Sequence, residues 1–247
     1  LAVGVPGSVD GMVNIHDKYG KLSWKELIQP SIDLASNGFV LTKLEADKLN
    51  NFNNGKGLIN DNTEYYKLNY NEGDSLSLPN LAKTLIKIRD YKRSGFYSGE
   101  VALMLIDQMK VNGGIINQQD LDDYKSIWRK PIISTYKNFK IISMGPPSSG
   151  GIILSQMLKM AEKFPIRDYG FHSKNSIHLM TEIEKLSFAD RAKYLGDPDF
   201  WKVPENQLLD SAYLMERVKN LSLDSVIPSS KVFAGKFNNL ESNETTH

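Results

Sequence analysis

The chain has 247 residues, of which 40% are hydrophobic, 10% aromatic and 24% charged, and it contains no cysteine. Disulfide scaffolds, thiolate metal sites and cysteine nucleophiles are therefore excluded, so any catalysis must use oxygen or imidazole groups. Thirty Lys and Arg against 29 Asp and Glu give a net charge of +1, which favours neither nucleic acid nor an anionic membrane as a partner.

No apolar run reaches the roughly 18 residues of a transmembrane helix, so we expect a globular chain with no membrane span in this segment. The sequence begins at Leu1 instead of Met and ends at Thr245-Thr246-His247. We expect both ends to be cuts in a longer polypeptide. A length near 250 residues without an internal repeat predicts one compact domain over residues 1–247, with two domains as the alternative.

The first predicted helix covers Ser23–Asn37. Glu26 stands three residues after Ser23, the pattern of a capping box in which each side chain takes a free backbone N–H of the first turn. Gly38 supplies the stop signal. Pro30 removes one donor and crowds the preceding turn, so we expect it to kink or divide the helix.

The next part of the chain alternates between polar and helical patterns. Asn50–Tyr70 contains seven Asn and few apolar residues, which predicts a polar surface excursion. Helical spacing fills Pro79–Gly95 and Gly99–Gly114, each ended by glycine, and this predicts a helical hairpin. A short capped turn is predicted over Asn117–Tyr124.

The clearest strand signals lie in the middle of the chain. Two β-rich runs, Pro131–Tyr136 and Phe139–Met144, are separated by Lys137-Asn138 and predict a strand pair. The turn Gly145–Gly151 breaks the second strand. Later helices are predicted over Ile153–Ala161, Ser173–Tyr194 and Leu208–Leu221. The pattern predicts an α+β fold class, a mostly helical fragment with a short β-sheet.

Ser148 and Ser149 lie in a turn between a predicted strand and a predicted helix. Such a turn is typical of an anion cradle at a helix N-terminus or of the nucleophile elbow of an α/β-hydrolase. The lysine of a phosphate loop is missing, and Pro146 replaces the first glycine of an elbow. A structural role is therefore favoured, in which the prolines set a tight turn, a serine caps the next helix and the glycines permit close packing.

The histidines and carboxylates do not form a metal-site pattern. His172 and His178 are six positions apart, which is not the spacing that zinc sites use on a helix. Asp197-Pro198-Asp199 follows Gly196 and is more simply a turn with a capping carboxylate. The charged residues of Glu182–Lys193 are predicted to form a mostly solvated helix face. We expect neither a metal site nor a cofactor.

Thr245 has no functional signal from composition, since a threonine hydroxyl is not ionised near neutral pH and needs a base beside it. An N-terminal threonine supplies that base itself, because its α-amine titrates near about 7.7 to 8.0. The condition is a cut between Glu244 and Thr245, and the residues alone give no reason for one. In isolation, Thr245 is a terminal polar residue without a function.

Short motifs occur in order along the chain: Gly4-Val5-Pro6-Gly7 with Gly11, Lys18-Tyr19-Gly20-Lys21, Gly38-Phe39-Val40, Pro146-Pro147-Ser148-Ser149-Gly150-Gly151, Asp190-Arg191-Ala192 and Tyr194-Leu195-Gly196-Asp197-Pro198-Asp199-Phe200. The chain closes on Glu241-Ser242-Asn243-Glu244-Thr245-Thr246-His247. Together these motifs resemble the large subunit of gamma-glutamyltransferases, also called gamma-glutamyl transpeptidases or glutathione hydrolases, up to and just past their processing junction. The resemblance covers essentially the whole chain.

The resemblance implies part of an N-terminal nucleophile hydrolase αββα fold, in a precursor that cuts itself before a threonine. It implies scission between Glu244 and Thr245, so that residues 245–247 begin the small (β) subunit and the preceding residues form the C-terminal part of the large (α) subunit. The freed Thr245 is then the catalytic nucleophile, which attacks the γ-glutamyl amide of glutathione or a similar compound. The acyl-enzyme passes its γ-glutamyl group to water or to an acceptor amino acid or peptide. Thr246 receives no chemical role.

The resemblance also implies that most of the active site lies elsewhere. In the family, the arginine that holds the substrate α-carboxylate comes before this region, and the glutamate-binding and oxyanion groups come after it. Those roles are not transferred to Arg89, Arg129 or Ser148, whose positions do not match. We expect the isolated chain to be inactive and its partner to be the small subunit of the same precursor. Bacterial members are periplasmic or secreted, which is the expected location here.

Two alternatives stay open. A related N-terminal nucleophile acylase of the cephalosporin type would share the junction and remove a β-lactam side chain instead of a γ-glutamyl group. From a different class, the chain could be a noncatalytic helical binding module. Replacement of Thr245 by Ala in the full-length protein distinguishes the catalytic interpretations from the last one.

Overall fold

The computed structural model describes residues 3–54 and 69–237, which fall into two compact units on either side of the Ile127–Trp128 bond. Eleven helices and four short strands occur among the described residues, which confirms the predicted α+β class with a large helical share. The predicted domain, residues 1–247 with 245–247 starting the small subunit, stays a prediction, since its last residues lie outside the described ranges.

The first unit consists of helices around one very short sheet. Its helices are α1 (Ser8–Tyr19), α2 (Trp24–Asn37), α3 (Lys43–Asn54), α4 (Pro79–Tyr91), α5 (Ser94–Tyr97), α6 (Gly99–Val111) and α7 (Gln118–Asp123). Strand β1 (Phe39–Val40) pairs antiparallel with β2 (Ser75–Leu76). The sequence does not predict this sheet, because two-residue strands are too short to show an alternating pattern.

Helix α2 begins and ends as predicted. Ser23 Oγ accepts from the Glu26 N–H at 3.3 Å, the Ser23 N–H donates to the Glu26 carboxylate at 2.9 Å, and Gly38 follows with a φ of 85°. Pro30 lies inside one continuous helix, so it does not divide the helix, and the alternative that it kinks the helix stays a prediction. The buried side chains of this helix are Trp24, Ile32 and Ala35. Their packing offsets the hydrogen bond that proline removes.

The polar stretch predicted over Asn50–Tyr70 differs from expectation at both described ends. Helix α3 continues through Asn54, while residues 55–68 lie outside the described part of the chain. The Asn50 side chain donates to the Tyr70 carbonyl at 2.8 Å and accepts from the Tyr70 N–H at 2.9 Å. This pairing satisfies both backbone groups of Tyr70, whose side chain is buried.

The helices after residue 78 follow the predicted spacing with one difference. Helices α4 and α6 begin at the predicted residues, Pro79 and Gly99. Gly95 does not end a helix but lies within α5, where a Cβ atom would be 2.1 Å from the Lys87 carbonyl oxygen. Asn117 caps α7 as predicted, by accepting from two backbone N–H groups of its first turn.

A buried carboxylate cross-links the first unit. Asp10 is 4% exposed and accepts from Arg93 Nε at 2.9 Å, from the Ser126 N–H at 2.7 Å and from Asn14 Nδ2 at 3.0 Å. Burial opposes the charge of Asp10, but the hydrogen bonds from Ser126 and the charge of Arg93 outweigh it and lower the pKa of Asp10 below its usual range. The N-terminal motif region is thereby fixed to residues more than 80 positions away.

The second unit combines a hairpin with four helices among its described residues. Strand β3 (Ile132–Tyr136) pairs antiparallel with β4 (Phe139–Ser143), which confirms the predicted strand pair. The helices are α8 (Gly150–Ala161), α9 (Lys174–Tyr194), α10 (Glu205–Leu208) and α11 (Ser211–Arg217), and a 3-10 turn follows at Ser229–Lys231. The largest core cluster consists of Met160, Leu179, Ile183, Leu186, Leu214 and Val218.

The single helix predicted over Leu208–Leu221 is wrong. The chain leaves the helical conformation after α10 and starts again at α11, where Asp210 Oδ1 accepts from the Tyr213 N–H at 2.8 Å. An aspartate that binds a backbone N–H two or three residues later favours a helix start over a helix interior.

Two carboxylates lie among the buried residues of α9. Ile177 and Met180 are each 53% exposed, whereas Glu182 and Asp190 are buried. The predicted solvated face over Glu182–Lys193 is therefore wrong at these two carboxylates. Both of them have hydrogen-bond partners in the segment that follows α11.

Candidate functional site

The predicted nucleophile, Thr245, and the predicted cleavage bond, Glu244–Thr245, lie outside the described residues. The described chain ends at Phe237, eight positions before Thr245. Eight residues span at most about 28 Å when fully extended. The part of the candidate site that the structure describes is therefore the segment that leads toward this junction, together with the side chains that hold it.

Asp190 on α9 is the centre of these contacts. Its Oδ1 atom accepts from the Gly235 N–H at 2.9 Å and lies 3.1 Å from an Arg217 guanidinium nitrogen. Its Oδ2 atom accepts from the Tyr213 hydroxyl at 2.7 Å and from Gln156 Nε2 at 3.2 Å. With 1% exposure, Asp190 is a buried carboxylate whose two oxygens are both hydrogen-bonded, as burial of a charge requires.

Tyr213 is held as a hydrogen-bond donor. Burial, the hydrogen bond to Asp190 and the charge of Asp190 raise the pKa of the Tyr213 hydroxyl far above its usual range. The hydroxyl therefore keeps its proton under all physiological conditions. Its ring also packs against Phe237, with 4.8 Å between the ring centroids.

Tyr194, one turn after Asp190, holds the same backbone unit from the other side. Its hydroxyl donates to the Gly235 carbonyl at 2.6 Å, and its ring centroid is 4.8 Å from that of Phe237. A Cβ atom at Gly235 would lie 2.3 Å from the Tyr213 hydroxyl oxygen. The close approach of Tyr213 thus requires glycine at position 235.

These contacts are the end of a longer row along α9, which we call the polar seam: His178, Glu182, Lys185, Asp190 and Tyr194. His178 Nε2 donates to the Ser222 carbonyl at 2.9 Å. The Ile227 N–H donates to Glu182 at 3.4 Å, and Lys185 donates to the Ile227 carbonyl at 2.5 Å. Every bond of the seam to residues 222–235 therefore goes to a backbone group.

A cavity of about 890 Å³ borders the segment at residues 235–237. Its lining includes the acidic residues Asp210 and Glu216 and the basic residues Arg217 and Lys236. Because both signs are present, its charge selects neither anions nor cations, and we assign it no ligand.

The serine turn is a packing element, but Ser149, the N-cap residue of α8, makes no capping bond with its side chain. Ser148 Oγ accepts from the Gly150 N–H at 3.3 Å at the start of α8. Ser149 Oγ accepts from Arg191 Nε at 3.0 Å. A Cβ atom at Gly151 would lie 2.2 Å from the Met144 carbonyl oxygen, so glycine is needed where α8 meets the end of β4.

The arginines that received no substrate role have structural partners. Arg129 binds Asp199 at 2.6 Å and lies 3.8 Å from Asp197. The Asp199 N–H donates to Asp197 Oδ1 at 3.0 Å, which confirms the predicted turn with a capping carboxylate. Arg89 binds Asp90 through Nε at 2.9 Å.

No metal-binding arrangement is found within residues 3–54 and 69–237, where no three His, Cys, Asp or Glu side chains come together. His172 stacks on Phe171 at a centroid distance of 3.8 Å, and His178 belongs to the polar seam. In the same ranges, no helix combines the length and apolar character needed to cross a bilayer.

In the sequence, Asp190 and Tyr194 stand within family-like motifs without a role of their own. Glu182 is predicted on a solvated helix face, and Tyr213 carries no functional signal. A usable signal exists on α9. Asp190 continues the spacing of Leu179, Ile183 and Leu186 at steps of three to four residues, which places it on the core face. A carboxylate on a core face needs donors, and that requirement predicts partners although it cannot name them.

Comparison with known proteins agrees with this structure. The family model for gamma-glutamyltranspeptidase matches residues 1–247. The glutathione hydrolase proenzyme of Escherichia coli (strain K12) is 39% identical over 255 aligned residues, which cover 100% of this chain and 43% of that protein. The acylase ACY 1 proenzyme of Pseudomonas sp. (strain V22) is 34% identical over 251, covering 100% of this chain and 44% of that protein. The chain thus spans less than half the length of these curated relatives.

The solved structures give the same result. The crystal structure of Helicobacter pylori gamma-glutamyltranspeptidase matches with a TM-score of 0.91 and 38% identity, over 99% of this chain and 71% of that one. The fold is therefore part of the N-terminal nucleophile hydrolase fold, as the motifs imply. The family model matches the entire chain, and the relatives are more than 30% identical to it. This chain therefore belongs to the gamma-glutamyltranspeptidase family.

Proposed function

We propose that this chain is part of a precursor that matures into an enzyme of γ-glutamyl transfer and hydrolysis. The observation that carries the proposal is that the family match continues to residue 247. Glu244 and Thr245 thus lie inside the matched region, shortly after a segment that buried side chains hold in place. The names of the relatives, glutathione hydrolase proenzyme among them, support both the substrate class and a precursor form.

The first proposed step is self-cleavage. The Thr245 hydroxyl attacks the carbonyl carbon of Glu244, and its proton passes to the departing amide nitrogen as the peptide bond becomes an ester. Water hydrolyses that ester, which leaves a carboxylate at Glu244 and a free α-amine at Thr245. This amine titrates near about 7.7 to 8.0 and can act as the base for the neighbouring hydroxyl.

The second proposed step is turnover. The Thr245 hydroxyl attacks the γ-carbonyl of glutathione or another γ-glutamyl amide, and the amine of the substrate leaves with a proton. The resulting γ-glutamyl ester is resolved by water, which gives hydrolysis, or by the amine of an acceptor amino acid or peptide, which gives transfer. We propose that the partner is the small subunit of the same precursor and that the protein is periplasmic or secreted.

The experiment compares the full-length precursor with its Thr245→Ala variant and a matched control, Thr181→Ala. Thr181 lies exposed on α9, where its hydroxyl binds only its own helix. We expect mass spectrometry to show a new N-terminus at Thr245 in the wild type and in the control. The Thr245→Ala variant should stay uncut and release no product from a chromogenic γ-glutamyl anilide. Full activity of that variant would contradict the proposal and point to another nucleophile. No cleavage and no turnover in the wild type would instead favour a noncatalytic binding module.

A second candidate, an acylase that removes a β-lactam side chain, is favoured by the 34% identity to the acylase proenzyme. It would use the same cleavage and the same Thr245. The two candidates are separated by kcat/KM for a γ-glutamyl anilide against that for an acylated β-lactam. A higher value for the γ-glutamyl compound supports the first proposal.

A further inference from the structure

The chain upstream of the junction is restrained by side chains, not by secondary structure of its own. Between Ser222 and Phe237, the described residues contain only the short 3-10 turn. The polar seam of α9 binds this segment at Ser222, Ile227 and Gly235. These positions rise along the segment in the same order as their partners rise along α9. The segment therefore follows α9, and within the described residues its last hydrogen bonds to that helix are at Gly235, two positions before Phe237 packs against Tyr194.

Gly235, like Ile227, is bound at both of its backbone groups, and its N–H donates at the shorter distance, 2.9 Å against 3.4 Å. Both backbone groups of one residue are bound, the N–H by Asp190 and the carbonyl by Tyr194. Asp190 is itself fixed by Tyr213, Arg217 and Gln156. A donor and an acceptor held by two groups on one rigid helix define both the position and the direction of the chain at this point.

Restraint of the backbone at Gly235 affects a reaction that takes place a few residues later in the same polypeptide. Glu244 is nine positions after Gly235, and attack by Thr245 on its carbonyl requires the reacting atoms to be held in a narrow range of geometries. If the chain were free at Gly235, it would have to lose more conformational entropy to reach that geometry. Restraint at Gly235 lowers this loss before cleavage and has no corresponding effect once the peptide bond is gone.

We propose that Asp190 and Tyr194 are positioning residues for maturation: they clamp Gly235 so that the Glu244–Thr245 bond is presented for cleavage, and they are dispensable for turnover afterwards. This inference rests on the proposed function, since it takes the cleavage step from there. It assigns to α9 a role in the precursor that differs from any role in substrate binding.

The central experiment separates cleavage from turnover. The wild-type full-length precursor and its Tyr194→Phe variant are made by cell-free translation, and their cleavage is followed on gels. The variant loses the hydroxyl but keeps the ring against Phe237. We expect its first-order cleavage rate to fall about threefold to tenfold, the effect of losing one hydrogen bond. After cleavage is complete, its kcat and KM for a γ-glutamyl anilide should equal those of the wild type.

Two further variants accompany this one, a control and a second change to the residues that hold Gly235. Asp199→Asn weakens an exposed ion pair with Arg129 in the same unit and should leave the cleavage rate unchanged. Asp190→Asn keeps the size of the side chain but replaces one carboxylate oxygen by an NH2 group, which cannot accept a hydrogen bond. It should slow cleavage at least as much as Tyr194→Phe. An unchanged cleavage rate in Tyr194→Phe, or a parallel fall in cleavage rate and kcat, would overturn the proposal.

A second measurement does not depend on cleavage at all. In the Thr245→Ala background, trypsin is used to cut after the exposed Lys236, and cutting after the exposed Lys231 serves as the internal reference. Tyr194→Phe should raise the ratio of cutting at Lys236 to cutting at Lys231 at least threefold, since it removes one of the two hydrogen bonds that hold Gly235. A constant ratio would refute the clamp. Absence of any cleavage at Thr245 in the wild type, with the ratio still raised, would instead refute the proposed function while leaving the clamp intact.

Discussion

Asp190 on α9 accepts a hydrogen bond at 2.9 Å from the backbone N–H of Gly235, a residue 45 positions later in the chain. The same carboxylate receives the Tyr213 hydroxyl and the Arg217 guanidinium. One buried charge thus joins a long helix, a short helix and an irregular segment.

Removal of this carboxylate should be costly. Asp190→Ala removes the acceptor of the Tyr213 hydroxyl and the carboxylate partner of Arg217, which keeps only the Leu186 carbonyl. We expect a loss of about 3–5 kcal/mol in the free energy of unfolding. Tyr213→Phe removes one bond and should cost about 1 kcal/mol. Denaturant titration of the full-length protein measures both. The exposed ion pair of Arg129 is the reference, since Asp199→Ala should cost less than about 1 kcal/mol. A similar loss at Asp199 and Asp190 would contradict this ranking.

The two glycines that begin α8 should respond in opposite ways to alanine. A Cβ at Gly150 meets only Ser148 Oγ, at 3.4 Å, whereas a Cβ at Gly151 would be 2.2 Å from the Met144 carbonyl oxygen. We expect Gly150→Ala to be neutral or to stabilise by about 0.5–1 kcal/mol, through the lower entropy of the unfolded chain. Gly151→Ala should destabilise by about 1–3 kcal/mol or more, because backbone must move. Thermal melting of the pair tests this, and equal effects would count against the close packing described here.

The buried carboxylate of the first unit predicts a dependence of stability on pH. The pKa of Asp10 is lower in the folded protein than its usual value. Its contribution is therefore present above the usual pKa of an aspartate and is lost as the pH falls through the lower, folded value. Hydrogen exchange at the Ser126 amide, which donates to Asp10 at 2.7 Å, should speed up in that acidic range. Asp10→Asn should remove the pH dependence; if the variant keeps it, another group is responsible.

The isolated 247-residue chain should not turn over substrate. By the resemblance described above, the groups that bind the α-carboxylate and stabilise the oxyanion lie outside it, and each oxyanion donor is commonly worth about 3–4 kcal/mol in the transition state. We expect no release from a γ-glutamyl anilide and an intact mass that still includes the last three residues. Measurable turnover, or loss of those residues, would show that the chain carries more of the active site than we infer.

The hairpin of the second unit predicts self-association of that isolated chain. Ile133 and Ile142 are directly opposite each other on β3 and β4, and they are 56% and 61% exposed. Adjacent exposed apolar side chains on a short sheet favour association. Sedimentation velocity should show oligomers that decrease in the Ile133→Thr/Ile142→Thr variant. A monomer at all concentrations in the unmodified chain would contradict the prediction.

Local signals in the sequence predicted the local parts of the fold. The capping box of Ser23 and Glu26, the cap at Asn117 and the β-rich runs that form β3 and β4 each depend on residues within a few positions of one another. The continuous helix through Pro30 and the helix that runs past Asn50 have the opposite cause. In both places, packing or pairing with a distant segment outweighs the local preference, and no nearby residue reports it.

The candidate site was predictable only in part. Thr245 follows from the resemblance and not from any property of the residue itself. Asp190 and Tyr194 stand in quoted motifs, yet their partner Gly235 lies some 40 positions away in a stretch with little pattern. Backbone groups are nearly the same at every residue. The residues whose backbone is bound therefore cannot be recognised from the sequence.

The polar seam should constrain the sequence of α9 more than that of the segment it binds. Because His178, Glu182 and Lys185 bind the main chain at Ser222 and Ile227, the identities of those two tail residues contribute nothing to the bonds. Many substitutions should be tolerated at Ser222 and Ile227, whereas His178, Glu182 and Lys185 on α9 should tolerate few. Gly235 is the exception, since its missing side chain is what admits Tyr213. A library randomised over residues 222–235 should therefore keep glycine at position 235 and apolar residues at Leu223 and Val232, which pack against the core, while Ser222 and Ile227 vary.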